Sequence, residues 1–228
     1  MKMYIKKQAE KILDKFLVFK SFRDYICYKA NFSRVCEKKF KYVGTDDALF
    51  INDNMTNTIE EVNRDYIVDD ILPTDIVLDI GACIGGFSLK IFKKVNHVYA
   101  IEPFVTERLK ENIALNKAKN ITVFDCALGD GVQTITWGNE TKTLNCISLS
   151  EIIKKCNSQI DFLKIDCEGG ELFIKPEELQ GIRRIEAEVH CDKYRMKKFE
   201  DMLDKAGYEY TTEGYNSIHL YIVHAKRK

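Results

Sequence analysis

The stretch Asp75-Ile76-Val77-Leu78-Asp79-Ile80-Gly81-Ala82-Cys83-Ile84-Gly85-Gly86-Phe87-Ser88 decides the fold. Ile76 to Ile80 is apolar on both faces apart from one acid, the pattern of a strand buried in a sheet, and a glycine turn follows it. Phe87 to Lys94 then takes helical spacing. Reading onward, a strand is predicted at His97 to Ile101, a helix at Val105 to Leu115, and a strand at Ile121 to Cys126. Further on come a helix at Leu149 to Lys155, a strand at Phe162 to Ile165, a short helix at Pro176 to Gln180, a strand at Arg184 to Val189, and a helix at Asp192 to Ala206 that Gly207 stops. Strand and helix in alternation predict an α/β fold, a mostly parallel twisted sheet with helices on both faces, because parallel neighbours need right-handed crossovers. Gln133 to Trp137 reads as an excursion at an edge. Tyr208 to Thr211 and Ile218 to Val223, flanking Gly-Tyr-Asn-Ser, read as a C-terminal antiparallel hairpin.

The chain before this core reads differently. Ile5, Ala9, Ile12, Leu13 and Phe16 keep helical spacing among lysines, which predicts an amphipathic helix from Tyr4 to Phe19. Its Lys-rich face suits packing on the domain or peripheral contact with a membrane surface. Residues 41 to 52 suggest short strands around a turn, and Ile59 to Ile71 a helix that Pro73 ends. The expected organisation is therefore an N-terminal helical and irregular extension over residues 1–74, packed on a domain over residues 75–228.

Composition narrows the function. The chain has 228 residues, 45% of them hydrophobic, enough for one sizeable core. No stretch approaches the roughly 20 apolar residues of a membrane span and no secretory leader is visible, so a cytoplasmic location is expected. A formal net charge of zero argues against a protein that tracks nucleic-acid phosphates. The eight cysteines include no C-x-x-C pair, so neither a zinc nor a redox signature is present.

The chemistry sits at the strand ends. In open α/β sheets ligands lie beyond the carboxyl ends of the strands, where the order reverses. The first strand ends in D-x-G-x-x-x-G rather than G-x-G-x-x-G, with Cys83 in place of the glycine that admits a pyrophosphate. An acid there repels phosphate but accepts hydrogen bonds from an ammonium group such as the methionine end of S-adenosylmethionine. The second strand ends at Glu102-Pro103, where an acid is placed to accept from both ribose hydroxyls of a nucleoside. The third ends at Asp125-Cys126-Ala127, where a polar group would meet the adenine amino group and an apolar one its face. The candidate cofactor residues are Asp79, Gly81, Ala82, Gly85, Glu102, Pro103, Asp125, Cys126 and Ala127.

The segments Val77 to Ser88, Ile101-Glu102-Pro103, Ala127-Leu128-Gly129-Asp130 and Phe162-Leu163-Lys164-Ile165-Asp166-Cys167-Glu168-Gly169 together resemble the FkbM family of methyltransferases, from about Asp75 to His190. The resemblance implies a Rossmann-like class I methyltransferase fold, S-adenosylmethionine as donor, and methylation of a hydroxyl on a sugar, polyketide or other small metabolite. It places Asp79, Gly81, Gly85, Glu102 and Ala127 in the cofactor motifs. The chain departs from the family pattern at Cys83, where asparagine is usual, and at Gly170, where an alanine-like residue is usual.

Methyl transfer from a sulfonium is an in-line displacement, and a hydroxyl acceptor must also lose a proton. Asp166 and Glu168 end the fourth strand, and Glu188 and His190 the fifth. His190 leads as the general base because its ordinary pKa lies near neutrality, Asp166 follows, and Glu168 organises substrate or loop. An Asp-x-Glu pair is not a sufficient ligand set for a metal, so none is assigned. The reading is an S-adenosylmethionine-dependent methyltransferase acting on a small hydroxylated acceptor. Its alternatives are a methyltransferase of RNA or protein, and a nucleoside-binding scaffold without catalysis. The acids at 79, 102, 166 and 168 favour an enzyme.

Overall fold

The computed structural model describes residues 42–51, 55, 58–138, 140–215 and 219–228. The helix read from Tyr4 to Phe19 lies outside them. In chain order the elements are β1 (Tyr42–Gly44), β2 (Leu49–Ile51), α1 (Thr58–Asp65), β3 (Ile76–Ile80), α2 (Gly86–Ile91), β4 (His97–Ile101), α3 (Thr106–Leu115), β5 (Ile121–Phe124) and β6 (Ala127–Leu128). They continue with β7 (Gly131–Trp137), β8 (Glu140–Ile147), α4 (Leu149–Cys156), β9 (Phe162–Ile165), two short 3-10 turns (Gly170–Phe173 and Pro176–Leu179), β10 (Arg184–His190), α5 (Lys193–Lys205), β11 (Tyr208–Tyr215) and β12 (Leu220–Arg227).

Seven strands form one sheet in the order β11-β12-β10-β9-β3-β4-β5, parallel except for the closing hairpin, as the alternation predicts. The chain builds outward from β3 to β4 and β5, then returns to β3's other side with β9. The order therefore reverses at β3, and a crevice opens over its carboxyl end. The apolar face of the central strands packs Leu78, Leu163 and Ile185 against Leu149 and Ile152 of α4 and Phe199 and Leu203 of α5. Both helices start where a side chain stops the preceding chain: Ser148 and Glu151 form a capping box, and Asp192 accepts from the amides of Tyr194 and Arg195.

The opposite face packs Val77, Val98 and Phe162 against Phe87 and Ile91 of α2, and beside them carries a polar row. Asp79, Lys164, Glu186 and His224 are paired in one row across β3, β9, β10 and β12. Asp79, Lys164 and Glu186 are buried. Buried charges cost several kcal/mol when unpaired, and here each acid meets a base: Lys164 reaches Asp79, and Glu186 meets both Arg184 and His224. Residues 66 to 75 cover this row, with the Ile67 amide donating to Glu186. That work explains why helix α1 stops at Asp65 and not at Ile71 as its periodicity suggests: a helical segment has no free amide to give.

The edge excursion is larger than Gln133 to Trp137. β7 pairs with β8, which also pairs with β6, in a separate three-stranded sheet. β8 alternates polar and apolar residues on a largely exposed hairpin, so it carried no buried-strand signal. Among the described residues no helix is long and apolar enough to cross a membrane.

Candidate active site

The loop after β3 is held by its own backbone. Gly81 and Ala82 both donate to the Ile101 carbonyl at 3.0 Å, Gly85 donates to the Ala82 carbonyl at 2.8 Å, and Cys83 donates to Glu102 Oε2 at 2.8 Å. Four loop amides are thus committed, whereas a pyrophosphate cradle needs them free. Gly81 has φ 76° and a Cβ there would stand 1.6 Å from the Asp166 carbonyl oxygen, so only glycine lets β3 and β9 approach this closely. Cys83 also takes a left-handed conformation, φ 49°. Asparagine tolerates that conformation better than cysteine, which gives the family's usual residue a physical reason. Burial, with Glu102 nearby, pushes the Cys83 thiol up to about 12, so it is an inert filler.

Glu102 is 5% exposed and closes the turn into α3. Besides Cys83, the amides of Phe104 and Val105 donate to Oε1 at 2.6 and 3.0 Å. Three of about four acceptor positions are therefore filled, and one on Oε2 is left toward the cleft. Where the sequence led us to expect acceptance from two ribose hydroxyls, the carboxylate keeps about one open acceptor position. Burial raises its pKa against the pull of those amides.

Around the loop the cleft is lined by Ile101, Pro103, Phe104, Cys126, Ala127, Leu128, and by Ile135 and Trp137 of the β7 arm. Lys142 pins that hairpin over the site, donating to the carbonyls of Pro103 and Phe104 at 3.1 and 3.0 Å. An apolar slot beside one remaining carboxylate acceptor fits a nucleoside, and the committed amides fit a donor without phosphate. Asp125 is exposed and outside the lining, so it is not placed to meet an adenine.

At the other end of the cleft stand Glu61, Tyr66, Lys164, Asp166, Glu168 and Glu188. The Tyr66 hydroxyl, from a side chain 5% exposed, donates to Asp166 Oδ2 at 3.2 Å and Glu188 Oε2 at 3.4 Å. Lys164 Nζ lies 3.4 Å from Asp79, 3.6 Å from Asp166, and donates to the Gly81 carbonyl at 2.9 Å. Burial raises Asp166 to about 6, with Lys164 pulling it down and Glu188 adding to the rise. Burial likewise raises Glu168, whose backbone is held at φ 60°. Non-glycine residues in that conformation cost on the order of 1–3 kcal/mol and concentrate where a site needs a side chain aimed.

Two expected roles do not match this geometry. Asp79 is fully buried beneath the loop, bonded to Ser88 at 2.6 Å and paired with Lys164, and does not reach the cleft. It lies beneath the loop and outside the cleft lining, away from where the sequence led us to expect an ammonium group. His190 stands behind the lining, 3.4 Å from Glu188, 3.7 Å from Glu168 and 3.7 Å from Glu171. Burial pulls its pKa down, but these carboxylates outweigh it and raise it to about 11, which favours the protonated ring at neutral pH. Of the candidate residues, Gly81, Ala82, Glu102, Pro103, Cys126, Ala127, Asp166 and Glu168 line one cleft, and Asp79, Gly85, Asp125 and His190 do not. Tyr66, Lys164, Trp137 and Glu61 were missed as site residues. Lys164 alone left a signal, a lysine inside an otherwise apolar strand.

A family profile described as "Methyltransferase FkbM domain" matches residues 79–210, more than half of the chain. A 23S rRNA (uracil(1939)-C(5))-methyltransferase RlmD of Klebsiella pneumoniae is 30% identical over 93 residues, 40% of this chain and 21% of that protein. The chain thus spans about a fifth of the curated relatives it matches. Among solved structures, the fibrillarin pre-rRNA processing protein of Methanococcus jannaschii superposes with a TM-score of 0.53 at 14% identity, over 82% of each chain. An rRNA methylase from Streptococcus thermophilus gives 0.50 at 10% identity, over 78% of this chain and 98% of that one. The fold is the Rossmann-like fold that the alternation and the resemblance imply, and the chain belongs to the FkbM family of S-adenosylmethionine-dependent methyltransferases.

Proposed function

We propose that the chain methylates a hydroxyl of a small acceptor, sugar-like in its polarity, and that Glu168 receives the hydroxyl proton. The observation that carries this reading is the charge of the transfer end. Glu61, Asp166, Glu168 and Glu188 face the cleft, and the one lysine among the described lining residues, Lys164, is already shared between Asp79 and Asp166. A phosphate beside the reacting atom would be repelled; a neutral polyol finds acceptors for its hydroxyls. S-adenosylmethionine supplies the methyl group from its sulfonium, whose sulfur keeps the electron pair of the broken bond.

The residues do the rest. Glu102 Oε2 and the apolar slot from Pro103 to Trp137 hold the nucleoside, and Asp166 with Glu188, fixed by Tyr66, orients the acceptor. The acceptor oxygen forms its bond to the methyl carbon while its proton passes to Glu168, which the left-handed backbone at 168 aims into the cleft. Positioning of this kind accounts for most of the acceleration in a displacement. Glu168 thus takes the role that spacing gave first to His190.

A second reading, transfer to RNA, draws on the named activity of the RlmD relatives. Both are tested with labelled S-adenosylmethionine, a panel of hydroxylated small molecules, and total RNA. Label should enter a small hydroxylated compound, and Glu168→Gln should slow turnover by about two orders of magnitude while cofactor affinity holds. Label confined to RNA, or normal turnover in the variant, overturns the proposal.

A further inference from the structure

We infer that Asp166, Glu188 and His190 form a binding site for one divalent cation at the transfer end of the cleft. Each offers a ligand atom, and these atoms all lie within 4.8 Å of one another. Ligands about 2.0–2.2 Å from a common ion stand about 3–4.4 Å apart. The Nε2 to Glu188 Oε1 distance of 3.4 Å already meets that, and small side-chain rotations close the rest. Two carboxylates and an imidazole suit a cation between the hard and borderline classes, for which Mn2+ is the natural probe.

A buried carboxylate also stands where the outer partner of such a site belongs. Metal-bound histidines give their other ring nitrogen to a carboxylate, which fixes the ring. Here His190 Nδ1 is buried, makes no hydrogen bond, and lies 3.7 Å from Oε1 of Glu171. Glu171 is itself fully buried and held in place by the amides of His190 at 2.6 Å and Gly169 at 2.9 Å. The ring therefore has a fixed partner behind it and presents Nε2 to Glu188 in front. Tyr66 bridges the two carboxylate ligands. Charge points the same way: Glu61, Asp166, Glu168 and Glu188 face the cleft beside a single lysine among the described lining residues, Lys164. Asp166 and Glu188 line the cleft, so the remaining coordination positions face the acceptor.

The site is read from ligand geometry; its part in the transfer rests on the function proposed above. A carboxylate is a weak base for a hydroxyl, whose pKa in water is about 15.7, and a bound cation lowers it by several units. The acceptor oxygen bound to the cation then loses its proton to Glu168, bonds to the methyl carbon, and the carbon–sulfur pair leaves with sulfur.

The experiment uses the full chain, stripped with EDTA and titrated with Mn2+ under electron paramagnetic resonance, without cofactor or acceptor. One saturable ion per chain is expected, with nitrogen-14 modulation of its spin echo. His190→Gln should abolish the modulation and weaken binding at least about tenfold, and Glu188→Gln should weaken it while leaving the modulation of the residual signal. Fluorescence of Trp137, the chain's single tryptophan, reports S-adenosylmethionine binding on the same samples, so failure of the cation site and failure of the methyltransferase reading are told apart. No saturable Mn2+, or binding indifferent to both substitutions, overturns the inference.

Discussion

The two ends of the cleft are built in different ways. The cofactor end is made by backbone over a short span: Gly81, Ala82, Cys83 and Gly85 commit their amides to β4, to Glu102 and to one another, and Glu102 lies 19 residues from the amide it receives. The transfer end is made by side chains far apart in the chain, with Tyr66 and Asp166 separated by 100 residues and Tyr66 and Glu188 by 122. Backbone geometry is dictated locally by residue type, so the first end tolerates little change. Side chains at the second stand on a rigid sheet edge, where one group can be altered without moving the rest.

The largest predicted effect strikes the point where both ends meet. Gly81→Ala places a methyl group against the Asp166 carbonyl, 1.6 Å from its oxygen, at a φ of 76°. Neither β3 nor β9 can yield without disrupting the sheet, so a loss on the order of 4 kcal/mol is expected, read by chemical unfolding. Wild-type stability would show that the strands are not in the close contact on which the comparison rests.

A smaller change should touch one end alone. Glu102→Ala removes a carboxylate that organises three amides and, on the function proposed above, keeps one acceptor position for the nucleoside. Cofactor binding should weaken by about 1.5–3 kcal/mol, roughly 10- to 150-fold, measured by Trp137 quenching. Mn2+ binding at the far end should stay as in the wild type. Coupled loss of both would mean that the two ends form one unit.

The contrast also decides what was legible in the sequence. β3, its loop, β4 and the acid after it announce themselves because a buried strand, a left-handed glycine and a strand-end carboxylate are local patterns. Whether a strand-end acid points into the cleft is not local. Asp79 reads like a ligand but falls under the loop, because its strand partner is Lys164, and that pairing is set by register between strands more than eighty residues apart. His190 reads like a base, yet Glu168 and Glu171 from another segment join Glu188 of its own strand around the ring and raise its pKa. Tyr66 belongs to a segment whose periodicity continues a helix, and only the buried acids beneath it explain why the helix ends.

The smallest predicted effect concerns the loop itself. Cys83 holds φ 49°, a conformation costing most residues about 1–2 kcal/mol and asparagine less, because its short amide bonds locally to the backbone. Cys83→Asn should recover about 0.5–1 kcal/mol of that cost, raising the melting temperature by about 1–4 °C in a chain of this size. The side chain is only partly buried at the cleft, so the amide keeps access to water. The Cys83 amide donates to Glu102, and a loop that holds its shape more firmly should also bind cofactor slightly better. Cys83→Ser separates the explanations: it is as small and also polar but has no comparable preference for the left-handed region. If serine stabilises as much as asparagine, the gain comes from replacing a partly buried thiol by a polar group. If asparagine alone does so, backbone conformation governs this end of the cleft.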